Sequence, residues 1–162
     1  MEEKDWLELW SEQNQLQKVI EMNEKTQRFG LVLSEEEAKW LVERRRENLK
    51  EQQRVEFGEG ILPKLIFAFC DSPYIYQENY ADAIARLQEI FYLYKNESMD
   101  MLTDDDLLEA MKNAFDGVCE GSLEYLEETA LEEFSRNIRM DGNNFFGRNY
   151  VIKGRGYADD EL

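Results

Sequence analysis

The sequence contains no histidine at all. That absence removes the side chain that most often moves protons near neutral pH, and with it Ser–His and Cys–His nucleophile activation, His-ligated zinc and the Glu-x-x-His di-iron motif of helical bundles. Cysteine is nearly as scarce. Cys70 and Cys119 are the only two, far apart and each in an apolar setting, which reads as reduced core residues rather than a disulfide or reactive thiols. Basic residues are outnumbered, 19 against 36 acidic, for a net charge of −17. Such a balance disfavours a nucleic-acid binder and an anionic membrane surface, both of which call for positive charge, and favours basic partners. No apolar run approaches the roughly 20 residues of a bilayer span. There is no internal repeat, low-complexity tract or phosphate-binding glycine loop. The opening acids Glu2, Glu3 and Asp5 do not make a signal peptide, so a cytoplasmic protein is expected.

What is present is helical. Hydrophobic residues make up 43% and aromatics 12% of 162 positions, enough for a globular core. The apolar stretch Ile61–Cys70 carries one charge, Lys64, and its side chains point all round a helix, so it is expected to be a central helix buried on every side. Pro63 is tolerated in its first turn and Pro73 stops it after Asp71-Ser72. Around it the spacing predicts amphipathic helices over about 2–22, 35–53, 78–97, 104–119 and 123–138. Ser34 with Glu37 forms a capping box, with Leu33 and Ala38 placed as a hydrophobic staple, and Thr103 caps the next-to-last helix. Leu31-Val32-Leu33 reads as extended. The expected fold is therefore all-α: about six helices in one domain, 1–140, followed by a tail, 141–162.

Several residues stand out against this frame. Arg45 occupies a place in the apolar stripe Ala38, Leu41, Val42, Leu49. A buried guanidinium is costly unless paired, so Arg45 either lies at a groove edge or meets a carboxylate, with Glu56 and Asp71 the nearest candidates. Trp6 and Trp10, one turn apart, offer a partner-facing surface. Glu124, Glu128 and Glu132 line up at i, i+4, i+8, a repulsive spacing that suits a solvated face, a basic partner or a loosely held cation. Asp104-Asp105-Asp106 reads as dipole-favouring acids in a first turn rather than a metal site, and it lacks calcium-loop spacing. Between Arg136 and Arg155 the chain turns basic and aromatic. Phe145, Phe146 and Tyr150 belong either to a short strand or hairpin folded back on the acidic helices or to a partner-binding tail.

Three segments, Arg54-Val55-Glu56-Phe57-Gly58-Glu59-Gly60-Ile61, Phe69-Cys70-Asp71-Ser72-Pro73-Tyr74 and Phe91-Tyr92-Leu93-Tyr94-Lys95-Asn96-Glu97, resemble an uncharacterised family of small acidic helical proteins from anaerobic Gram-positive bacteria. The likeness covers about Thr26 to Arg139. It implies a bacterial cytosolic protein and carries over no catalytic residue.

The functional expectation is a non-catalytic protein–protein interaction or regulatory module with a basic partner and no cofactor. Two rivals are a nucleic-acid mimic, whose carboxylates imitate phosphates, and an enzyme holding Mg²⁺ or Mn²⁺ with Asp and Glu alone.

Overall fold

A computed structural model describes residues 6–56, 60–131, 133 and 136; of residues 6–9 and 130 only the backbone is described. All regular structure among them is helical, with no strand, and the all-α class holds. In chain order the helices are α1 (Trp6–Glu21), α2 (Asn23–Thr26), α3 (Glu35–Glu51), α4 (Leu62–Phe69), α5 (Tyr80–Glu97), α6 (Asp104–Asp116) and α7 (Leu123–Tyr125). Tight 3-10 turns follow α2 (Gln27–Phe29) and precede α5 (Gln77–Asn79), and α7 runs into a π-helical turn, Leu126–Ala130. The chain divides into two compact units, Met1–Tyr92 and Leu93–Leu162. Helix α5 continues without a break through the division, which nothing in its sequence marks.

In the first unit α1 packs against α3 and α4. Helix α3 starts where Ser34 stops the extended chain: the Ser34 side chain accepts from Glu37 N–H at 3.0 Å while Glu37 Oε1 accepts from Ser34 N–H at 2.9 Å. Two otherwise free donors at the helix start are thereby satisfied. Ala38, Leu41, Val42 and Arg45 are buried. Leu49 is only half-buried and Asn48 takes the inward place.

The segment Leu31–Leu33 is extended, and side chains do the work of a neighbouring strand. Thr26 Oγ1 donates to Leu31 O at 2.7 Å. The Gln77 amide brackets Val32, accepting from its N–H and donating to its C=O, both at 2.9 Å. The Asn23 amide brackets Leu33 in the same way at 2.9 and 3.0 Å. Backbone groups buried in a helical protein need partners, and amides supply one donor and one acceptor each.

Helix α4 departs from the expectation of burial on every side. Ile61, Leu62, Leu65, Ile66 and Phe69 are fully buried, but Phe67 is 53% exposed. It shares an exposed flank with Lys64, one turn earlier. The most widely buried helix is α5 instead, where Ile84, Leu87, Gln88, Ile90, Phe91, Tyr92, Tyr94 and Lys95 are all inside.

In the second unit Thr103 caps α6, its hydroxyl accepting from Asp106 N–H at 3.1 Å. The buried face is Leu107, Leu108, Met111 and Phe115. The expected run to residue 119 stops at Asp116, so the helical phase never reaches Val118, which is 67% exposed while Cys119 turns inward. Lys95, a charged residue in the last turn of α5, is only 8% exposed. Its Nζ reaches Leu102 O at 2.5 Å and Asp104 Oδ1 at 2.8 Å, which ties the loop after α5 to the first turn of α6. After α7 the ladder widens: Leu131 N–H bonds to Leu126 O, five residues back. That extra residue per turn puts Leu131 rather than Ala130 in line with Leu126, and both leucines are buried. The Tyr94 hydroxyl donates to the carbonyl of Glu127 inside the turn.

Candidate functional site

A buried polar cluster in the first unit is built from four separate elements. Arg45 on α3 is 7% exposed, and its Nε donates to Glu56 Oε1 at 2.8 Å. The other carboxylate oxygen of Glu56 accepts from Tyr92 Oη on α5 at 2.5 Å and from Ile61 N–H, just ahead of α4, at 3.2 Å. One carboxylate thus gathers a guanidinium, a phenol and a backbone amide, charge-assisted bonds that offset the cost of taking both charges out of water. Gly60 makes room for it. Its φ is +82°, a left-handed conformation, and a Cβ there would lie 2.8 Å from Glu56 Oε1 and 3.3 Å from Gln15 Nε2 of α1. Only glycine meets both conditions without strain. Asp71, the other candidate partner, is exposed.

On the outside of the same unit a groove of about 240 Å³ runs between α1 and α3, lined by Glu12, Gln13, Leu16, Lys39, Val42 and Glu43. Beneath it Arg46 of α3 pairs with Glu12 of α1 at 2.7 Å. The volume is below the roughly 300–1,000 Å³ of sites for drug-sized molecules and suits protruding side chains. Each of the two helices also carries an exposed tryptophan. Trp10, one turn before Gln13, is 56% exposed; Trp40, one turn before Glu43, is 39% exposed. Along α3, Glu36, Trp40, Glu43 and Glu47 fall at i, i+4, i+7 and i+11, one exposed stripe. Glu47 is taken by Arg44 at 2.6 Å. Glu36 and Glu43 have no ion pair or hydrogen bond among the described residues.

Of the residues singled out in the sequence, the structure brings Arg45 and Glu56 together and leaves Trp10 open to solvent. Glu124 and Glu128 are exposed in the second unit, where the π-turn breaks the regular i, i+4 register. The side chain of Trp6, and Glu132, Phe145, Phe146 and Tyr150 with the rest of the tail, lie outside the described residues. The sequence reading missed Tyr92 and Trp40. Trp40 was within reach: once Ser34 fixes the start of α3 and Ala38, Leu41, Val42 and Arg45 turn inward, position 40 must turn outward.

Among the described residues no three His, Cys, Asp or Glu side chains gather in a metal-holding arrangement, and no helix is long and apolar enough to cross a membrane. Cys70 and Cys119 are both buried and free, and burial pushes the Cys119 thiol above its ordinary pKa, a setting for inert rather than reactive sulfur. Tyr80 is almost wholly buried and its hydroxyl has no hydrogen bond of normal geometry. Burial pushes its pKa up to about 12, moderated by the facing Thr26 side chain.

Comparison with curated proteins and with solved structures gave no match. A family model does match, over residues 18–144, from the last turn of α1 through Glu56 and both halves of α5. With most of its length covered, the chain belongs to the family of unknown function DUF6323.

Proposed function

We propose that the protein is a non-catalytic interaction module whose partner is a protein with a basic contact surface. The observation that carries this reading is Trp10, a large aromatic left more than half exposed on α1, one turn before the groove residue Gln13. Tryptophan is the residue most enriched among the anchors that dominate protein interfaces, and exposing it in the free state forgoes its burial energy. The net charge of −17 supports the choice of partner, because it accelerates encounter with positive surfaces and repels nucleic acid. The absence of histidine leaves the commonest general acid–base unavailable and supports a binding rather than a catalytic role.

The test is to recover the partner from native lysate, identify it, and titrate it in purified form against the parent and Trp10→Ala at low and high salt. The expected result is a basic partner whose affinity survives high salt and falls about tenfold or more on Trp10→Ala. Displacement by duplex DNA, steep salt dependence and indifference to Trp10→Ala would instead identify a nucleic-acid mimic.

A further inference from the structure

We infer that the groove between α1 and α3 takes the apolar face of a basic amphipathic helix from the partner. The inference rests on the binding-module reading and adds the place and the chemistry of contact. Leu16 and Val42 give the groove its apolar side chains. They belong to two packed helices, so the seam between them runs along the helix axes. An occupant that follows such a seam must present apolar side chains every third or fourth residue, which a helix does.

The charge comes from α3. Glu36 and Glu43, seven residues apart on one face, have no partner among the described residues, and exposed Trp40 stands between them. An acid–aromatic–acid stripe is complementary to a row of lysines or arginines flanking an apolar face: carboxylates attract the cations, and the indole face accepts a cation as well. Lys39, the one base lining the groove, is 3.9 Å from Glu35 one turn earlier on its own helix. The volume of about 240 Å³ is below that of sites for drug-sized molecules and admits side chains. An acidic helix would bring its charges against Glu36 and Glu43, and an extended strand would find no free sheet edge among the described residues.

The probe is a tryptophan-free peptide of leucine and lysine with its leucines at i, i+3, i+4 and i+7, titrated by the change in the protein's tryptophan emission. Its controls are a peptide of the same composition scrambled to abolish the apolar face and a leucine–glutamate peptide of the original spacing. Three variants change exposed residues: Trp10→Ala, Glu43→Lys, and Glu124→Lys in the second unit, which alters net charge as Glu43→Lys does. The expected result is saturable binding of the leucine–lysine helix, with Kd raised about tenfold by Trp10→Ala and by Glu43→Lys and within about twofold of the parent for Glu124→Lys. Equal binding of the scrambled peptide, or equal weakening by Glu43→Lys and Glu124→Lys, overturns the groove as the site. Unchanged melting temperatures in all three variants keep a folding defect from being mistaken for lost contact. A native partner that depends on Trp10 but is indifferent to Glu43→Lys would leave the binding-module reading standing and remove this one.

Discussion

Replacing Glu56 by alanine should be among the most destabilising single changes in the first unit. By composition the substitution removes one acid of 36, yet in the fold it strands three groups at once. The Arg45 guanidinium, 7% exposed, loses its 2.8 Å carboxylate partner. Tyr92 Oη and Ile61 N–H lose the acceptor they share. Removing one member of a buried ion pair costs about 3–5 kcal/mol, because the survivor keeps its desolvation penalty without its Coulombic return. Each neutral donor left unsatisfied costs about 1–3 kcal/mol more, although water entering the vacated space offsets part of that sum, so about 3–5 kcal/mol is the figure to test. Against a total stability of about 5–15 kcal/mol this is a large share. For a chain of this size it corresponds to a fall in melting temperature of about 6–20 °C. Glu56→Gln keeps one acceptor oxygen but loses the charge and turns the other oxygen into a donor, so it should fall between alanine and parent. Far-UV circular dichroism followed through heating measures all three. Parent, glutamine and alanine proteins melting within a degree or two of one another would show that the carboxylate is not what holds Arg45 inside, and the account of this cluster would fail.

Two further outcomes follow from burial. Phe69→Ala, at a fully buried position, should cost roughly 3–5 kcal/mol, whereas Phe67→Ala, one turn from exposed Lys64, should cost less than about 1 kcal/mol; urea denaturation midpoints that fall equally for both would contradict the exposed flank of α4. Tyr80 titrates at about 12 in the fold, first because it is buried, against about 10 in the unfolded chain. Its contribution is therefore fully present below pH ~10 and is lost as pH rises toward ~12, since the unfolded state releases the proton first; the loss is about 2–3 kcal/mol. Tyr80→Phe should leave stability at pH 7 within about 1 kcal/mol, because the hydroxyl has no normal hydrogen bond to lose, and should flatten the alkaline fall measured by denaturant titrations at successive pH values.

Much of the fold was legible because it follows from local rules. The capping box at Ser34 and the hydroxyl cap at Thr103 start α3 and α6 where the sequence puts them. The amphipathic helix expected over 78–97 forms as α5 and buries Tyr80, Ile84, Leu87, Phe91 and Tyr94. What stayed hidden depends on neighbours remote in sequence. Lys95 looks like a solvated helix residue until Leu102 and Asp104 return to bond it. Gln77 and Asn23 look like loop polars until each brackets an extended backbone unit far along the chain. The π-turn at Leu126–Ala130 changes the helical period itself, so a 3.6-residue reading of the leucines and glutamates around it cannot hold past Tyr125. Phe67 failed for a different reason. An apolar residue on the outside of a helix is common, and Lys64 was already marking which side faced water.

The two features of the first unit differ in what family membership says about them. Arg45, Glu56, Gly60, Ile61 and Tyr92 all lie within the residues matched to the family, as do Glu36, Trp40 and Glu43 of the α3 stripe. Glu12, Gln13 and Leu16, the α1 side of the groove, precede Lys18, where the match begins, as does Trp10. The Glu56 cluster therefore lies wholly inside the matched span, and the groove lies only partly inside it. Mechanically the two are connected. Gln15 of α1 lies against Gly60 and Glu56, and it is buried one residue from Leu16 in the groove. Glu12 of α1 lines the groove while holding Arg46, the neighbour of Arg45. The same stretch of α3 thus faces Glu56 with one arginine and Glu12 of α1 with the next. On the proposed reading, a partner would meet a helix that the Glu12–Arg46 pair already ties to α3, which lowers the ordering cost of association.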